Sequence, residues 1–342
     1  MFERALTYDD VLLKPQYSSI KSRGEIDISS ELGLGLKLQV PIISSPMDTV
    51  TEGEMARAMS ELGCLGIIHR YNAIEQQSSI ISSIKQRSPF SIVGAAVGVS
   101  GDYLERAQEL IRKGVDLLCV DVAHGHHVLM RDALRTLREE FGDDLHIMAG
   151  NVASLSGINH LSDWGANSVR CNIGGGSICS TRIQTGHGMP GLQTIMECAK
   201  TDRDVKIIAD GGIRNSGDIV KALAAGADAV MCGSLLGGTS ETPGKVFVDN
   251  DGSRWKTYRG MASKEAQITW RGSYSSYEGV ATRVPYRGGV SPILCDLEKG
   301  IRSGFSYSGA VSLLDLQNKA EFVLQTSSGL NESKAHIAER RW

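Results

Sequence analysis

Short, continuously apolar runs recur along the chain, and between them lie longer stretches in which apolar positions return with the period of a helix. The runs fall at 41–45, 66–69, 92–98, 116–121, 145–149, 167–171, 205–209 and 228–232. At four to seven residues each, without polar alternation, they predict strands buried on both faces. The stretches between them, 52–62, 74–85, 103–113, 127–140, 154–163, 191–199 and 216–225, predict amphipathic helices. Gly114 and Gly226 directly follow two of these, where a residue tolerant of left-handed backbone ends a helix. Eight strands separated by helical crossovers predict a parallel sheet closed on itself, a (β/α)8 TIM barrel that takes 1–342 as a single domain. An open doubly wound sheet fits less well, because no Gly-x-Gly-x-x-Gly follows the first strand.

The rhythm breaks after residue 239. Asn250-Asp251-Gly252, between short β-like runs at 247–256, predicts a hairpin. The whole of 239–290 reads as a hairpin and lid insertion after the last strand, long enough to fold over the barrel mouth. A polar segment runs to Ser276, 292–325 reads as terminal helices, and 326–342 as a polar, mobile tail.

Barrels of this kind gather their chemistry at the C-terminal ends of the strands, and here those ends are polar and rich in glycine. Ser44-Ser45-Pro46 closes the first, Asp121 the fourth, Gly150-Asn151 the fifth, Asp210-Gly211-Gly212 the seventh and Gly233-Ser234 the eighth. The sixth opens into the stretch 172–190. Its consecutive glycines, Gly174 to Gly176, let backbone amides and carbonyls turn toward a ligand. Cys179 follows them, a candidate nucleophile if its surroundings take the thiol proton. Ser177, Gly212, Gly233 and Ser234, on the last three strand ends, are candidates for a phosphate site. His124, His126 and His127 lack a nearby carboxylate to complete a familiar metal set, and read as a loop near the ligand or as plain surface.

Composition narrows the partners. The net charge is −3 with no block of like charge, which argues against a nucleic-acid surface or a polybasic membrane patch. Cysteines at 64, 119, 171, 179, 198, 232 and 295 show no paired spacing, and several sit inside apolar runs, as suits a reducing cytoplasm. No run approaches the roughly 18 apolar residues of a membrane span. A cytoplasmic protein acting on a small molecule is expected.

Several motifs then resemble one family. Leu6-Thr7-Tyr8-Asp9-Asp10-Val11-Leu12-Leu13, Ser45-Pro46-Met47-Asp48-Thr49-Val50, Gly176-Ser177-Ile178-Cys179, Ala209-Asp210-Gly211-Gly212-Ile213 and Tyr258-Arg259-Gly260-Met261 occur in the order found in the IMP dehydrogenase and GMP reductase family. The resemblance covers nearly the whole chain. It implies a barrel, usually a homotetramer, that binds a purine mononucleotide and a nicotinamide cofactor and forms a covalent cysteine adduct at purine C2. By that resemblance Cys179 is the nucleophile, and Thr181 with Glu278 relays protons. Asp210, Gly212, Gly233, Ser234, Tyr258 and Gly260 match nucleotide-binding positions, with Ser177 at the phosphate and Ser45 and Met261 at ribose and base. Asp121 and Asn151 match positions near the nicotinamide, and the carbonyls of Gly174, Gly176 and Cys179 match a monovalent-cation site, K+ in the dehydrogenases.

The two branches of the family differ in what leaves C2. A dehydrogenase hydrolyses its intermediate and carries an Arg-Tyr pair on a long flap; this chain has 16 residues between Met261 and Glu278 and no Arg-Tyr dipeptide among them. That shortness, with the polar Ala262-Ser263-Lys264-Glu265, resembles the reductases and implies reduction of GMP, or a related guanine mononucleotide, to IMP and ammonia with NADPH (NADH or NAD being the alternatives). Other stretches, such as Ile213-Arg214-Asn215-Ser216-Gly217-Asp218, look more like dehydrogenases. An NAD-dependent IMP dehydrogenase without the regulatory module is therefore the second expectation, and a purine-nucleotide-binding regulator without turnover the third. Asn172 and Gly175 depart from both branches, which usually have glycine and proline there.

Overall fold

The structure, a computed structural model, describes residues 3–333. The predicted alternation is present: β1 (Ile42–Ser44), α1 (Gly53–Glu61), β2 (Leu65–Ile68), α2 (Ile74–Arg87), β3 (Val93–Val97), α3 (Tyr103–Arg112), β4 (Leu117–Asp121) and α4 (Val128–Phe141). There follow β5 (His146–Val152), α5 (Leu155–Asp163), β6 (Ser168–Cys171), α6 (Gly191–Cys198), β7 (Lys206–Asp210), α7 (Ser216–Ala224) and β8 (Ala229–Cys232). The eight strands pair in parallel in chain order, and β8 returns to β1 to close the barrel.

Closure leaves every strand buried on both sides, which is why the runs are continuously apolar. On β4, Leu118 and Val120 meet the helices, while Leu117 and Cys119 face the interior with Ile43, Met148, Ile208 and Met231. Leu32 and Leu38, from a short hairpin before β1, close the bottom of that interior. Each helix buries one stripe: on α4 it is Met130, Ala133, Leu134 and Leu137, with Asp132, Arg135 and Glu139 exposed. Burying each large apolar side chain contributes about 1.5–3 kcal/mol.

Beyond β8, β9 (Phe247–Val248), β10 (Arg254–Arg259) and β11 (Ala281–Pro285) form an antiparallel sheet, with α8 (Lys264–Arg271) between its last two strands. The hairpin expected at 247–256 is the first half of this sheet. α8 lies in the segment read only as polar: its apolar stripe is thin, and its signals are the caps, Ser263 accepting from the Ala266 amide at 3.2 Å and Gly272 ending it at φ 72°. α9 (Val290–Tyr307) completes the outer ring of helices. The terminal region is not all helix, however. Phe322–Leu324 is a strand, because it pairs antiparallel with Val11–Leu13 across the whole length of the sequence. Ser327–Glu332 is helical where a mobile tail was expected, and 334–342 lie outside the described residues.

His146 sits at the entry of β5, 2 % exposed, with Nε2 2.9 Å from the Ser168 hydroxyl. Burial pushes its imidazole down to about 4. An unfolded chain protonates this group near pH 6.5 and the folded one does not, so the penalty on stability begins below pH 6.5 and is complete near pH 4. It amounts to about 3 kcal/mol at full development. Denaturant titrations across that range should show this loss in the parent protein, and a flatter profile in His146→Gln.

Candidate active site

The inward-facing positions change character toward the top of the barrel. Below lie Cys119, Ser168 and Ile208; two residues higher on the same strands lie Asp121, Arg170 and Asp210. Strand register places Asp121 opposite Gly150 and Gly150 opposite Arg170. A Cβ on Gly150 would stand 2.6 Å from the Arg170 Cβ, so only glycine lets the arginine lean across β5 to reach the Asp121 carboxylate. The same guanidinium donates to Asp210 Oδ2 through Nε at 3.0 Å and Nη2 at 2.8 Å. Burial works against the Arg170 charge, but the two carboxylates outweigh it and hold the group protonated far above its ordinary range. Asn151 Nδ2 adds a bond to Asp210 at 2.8 Å and one to the Asn172 carbonyl at 3.1 Å.

Above this layer the loop after β6 carries the cysteine. Cys179 Sγ lies 3.1 Å from Thr181 Oγ1, and that hydroxyl donates to Glu278 Oε2 at 2.7 Å. The three residues are brought together by a strip of backbone pairing: Ser180 donates to the Glu278 carbonyl at 2.9 Å and Val280 to the Ile178 carbonyl at 3.0 Å. Such a chain passes a proton between thiol and carboxylate without moving either residue. Four of the other thiols differ in kind: burial pushes those of Cys64 and Cys119 up to about 12, and those of Cys171 and Cys232 also upward, whereas Cys179 is half-buried on a cavity wall.

The 239–290 insertion is tied to the barrel at its first two strand ends. Arg259 pairs with Asp48 at 2.5 Å and its amide donates to Thr49 Oγ1 at 3.1 Å, while Trp270 stacks on Tyr71 with ring centres 5.8 Å apart. Gln267 bonds the carbonyls of Ala262 and Ser276 at 3.2 and 3.0 Å, fixing the turn that leads to Glu278.

Barrel mouth, cysteine loop and insertion enclose a cavity of about 490 Å3. Every site residue singled out in the sequence borders it: Cys179, Thr181 and Glu278; Ser45, Ser177, Asp210, Gly212, Gly233, Ser234, Tyr258, Gly260 and Met261; Asp121 and Asn151; and Gly174 and Gly176 of the cation set. The Gly176 carbonyl accepts from the Cys179 amide at 3.1 Å. Tyr258 is 4 % exposed, and burial pushes its phenol up to about 12 against the hydroxyls of Ser177 and Ser234, which pull it down. It therefore keeps its proton for donation at neutral pH.

Three arginines on this cavity were not singled out. Arg170 carried a signal, a guanidinium inside an apolar strand, whereas Arg70 and Arg271 are ordinary surface residues until the fold places them. The histidines stand elsewhere. His127 caps α4 by accepting from the Leu129 amide at 3.1 Å, and His126 lies 2.7 Å from His160 beside Trp164. Among the described residues no group of three His, Cys, Asp or Glu is arranged to hold a metal, and no helix is long and apolar enough to cross a membrane.

A closed barrel whose mouth holds a thiol, a hydroxyl and a carboxylate in hydrogen-bonded series has the layout of a barrel enzyme with a candidate nucleophile. The chain belongs to the IMP dehydrogenase / GMP reductase family, whose domain model matches residues 5–336, and is thereby an NAD(P)-dependent oxidoreductase of that family. It is 34 % identical to an inosine-5'-monophosphate dehydrogenase of Nitrosopumilus maritimus, with 98 % of each chain covered, and 31 % identical to a GMP reductase of Leishmania major, with 97 % and 96 % covered. The first alignment extends over 471 positions, more than the 342 residues here, so that relative carries residues this chain lacks. A crystal structure of a Trypanosoma brucei GMP reductase variant in complex with guanosine 5'-monophosphate superposes with a TM-score of 0.92 at 30 % identity, covering 98 % of both chains.

Removing the charge that joins the two carboxylates should be costly. Arg170→Met is expected to lose about 3–5 kcal/mol in denaturant unfolding, and Arg170→Lys, which keeps the charge without the two-pronged fork, to lose less.

Proposed function

We propose that this protein reduces GMP, or a closely related guanine mononucleotide, to IMP and ammonia with NADPH. The observation that carries this reading is the pairing of a complete Cys179–Thr181–Glu278 series with a short connection, 16 residues, between Met261 and Glu278. A hydrolytic branch needs a second base to activate water on the intermediate. The short connection holds one helix and no Arg-Tyr pair, and a reaction that releases ammonia has no need of one.

The residues divide the work. Tyr258, Ser177, Ser234 and the amides at Gly212 and Gly233 receive the phosphate, and Asp210 accepts from the ribose hydroxyls. Ser45 and Met261 border ribose and base. The Cys179 sulfur bonds to C2 as its proton passes through Thr181 to Glu278. The same carboxyl then protonates the departing 2-amino group, the C2–N bond breaks and ammonia leaves. A bound reduced nicotinamide supplies hydride to C2, after which the C–S bond breaks and IMP is free. Asp121 Oδ1 is committed to Arg170, and Asn151 Nδ2 to Asp210 and the Asn172 carbonyl, so the two residues suit a fixed wall beside the cofactor ring. Arg70 and Arg271 make no ion pair among the described residues and suit its phosphates. The insertion acts as a lid that carries Glu278 onto the cysteine loop.

Oxidation of IMP with NAD is the second reading. It is favoured by Arg271, a guanidinium on the cavity within the same connection that bears the dehydrogenase base. The assay is direct: purified protein is given GMP with NADPH, and separately IMP with NAD, while absorbance of the reduced cofactor is followed. Loss in the first mixture is expected; gain in the second alone overturns the reductase, and silence in both with nucleotide bound favours a regulator.

Cys179→Ala should abolish turnover and leave nucleotide affinity nearly intact; appreciable residual activity would remove the thiol from the reaction. Glu278→Gln should slow ammonia release by about 10²–10⁴-fold, more than hydride transfer. Single-turnover measurements of both steps decide it, and equal slowing assigns the carboxylate another role.

A further inference from the structure

The two residues that depart from the family pattern in the cysteine loop touch each other. A Cβ built on Gly175 would stand 2.2 Å from Asn172 Nδ2, 2.7 Å from Oδ1 and 2.8 Å from Cγ. Gly175 is not among the glycines with positive φ. Its missing side chain is therefore demanded by its neighbour and not by its own backbone.

Asn172 has nowhere to move. It is 5 % exposed; its amide donates to the Val152 carbonyl at 2.9 Å, and its own carbonyl accepts from Asn151 at 3.1 Å. The side-chain Nδ2 reaches the Gly211 carbonyl at 3.4 Å, and a Cβ on Gly191 would stand only 3.4 Å from that nitrogen. Oδ1 is buried, has no protein partner, and belongs to a residue that borders the cavity. An unmet buried acceptor costs about 1–3 kcal/mol. The carboxamide is thus held by shape, with its oxygen buried and unpaired beneath Gly175.

We propose that Asn172 is a positioning residue. Its carboxamide is a wedge beneath Gly175 that sets the path of 174–179 and with it the place of the Cys179 sulfur. Asn172 and Gly175 form one interlocked unit: the amide at 172 requires glycine at 175. This deepens the reductase reading, since it concerns how the same thiol is aimed, but it holds for any reaction at that thiol.

The test compares Gly175→Ala, Asn172→Gly and the double variant by two measurements: turnover, and the rate at which iodoacetamide alkylates Cys179, followed by mass spectrometry. Alkylation uses neither substrate nor cofactor, so its outcome stands apart from the choice between GMP and IMP. Gly175→Ala should lower kcat by up to about a hundredfold, as an ångström of misplacement does, with KM for the nucleotide changed far less and alkylation altered in parallel. The double variant should recover at least about tenfold of that loss, or 1.4 kcal/mol. If Gly175→Ala does not fold, the double is compared with Asn172→Gly instead, and the two should alkylate within about twofold, because the three atoms nearest that Cβ all belong to the carboxamide. The proposal is overturned if Gly175→Ala behaves as the parent, or if adding Ala at 175 is as harmful without the carboxamide as with it.

Discussion

The upper barrel depends on one guanidinium. Arg170 is almost wholly buried and bridges carboxylates on either side of it, Asp121 on β4 and Asp210 on β7, across a strand that makes room with a glycine. Burying three charges is tolerable only because each is paired, and the pairing dictates where each must point. Asp210 is thereby held at the cavity wall, and Asn151 is drawn in to link the carboxylate to the start of the cysteine loop. The layer that seals the apolar interior of the barrel is thus the layer on which the site is built.

On that base stands a second constraint, made of backbone. The cysteine loop and the segment around Glu278 are about a hundred residues apart in sequence, yet they pair through amide–carbonyl bonds on both sides of the thiol. The relay geometry follows from that pairing. The insertion has its own reasons for lying where it does: the Arg259 ion pair to Asp48 and the Trp270 stack on Tyr71 fasten it to the first two strand ends. The barrel and the carboxylate that completes the series come from separate parts of the chain, joined by these contacts.

Dehydrogenases and reductases of similar identity both match this chain over nearly its full length. In the proposed reaction, sulfur adding to an electron-poor purine carbon uses the Cys179 thiol and its hydrogen-bonded path through Thr181 to Glu278. On the function proposed above, the group that leaves is set in the connection between Met261 and Glu278.

Much of this was legible in the residues. Closed-barrel strands are buried on both faces, so their apolar runs stand out, and every predicted strand and crossover helix lies within a few residues of its place. The motif glycines and Cys179 are local in sequence, so a run of backbone amides and a thiol stand out without any knowledge of the fold. What the sequence left open depends on distant partners. Phe322–Leu324 became a strand because Val11–Leu13 offered it an edge, and α8 formed on caps and on Trp270 packing, without a strong stripe of its own. The roles of Arg170, Arg70 and Arg271 come from charge and burial in three dimensions, as does the contact that ties Asn172 to Gly175. Periodicity reports which face of an element is dry; only the tertiary structure decides which charges, amides and side chains then meet across it.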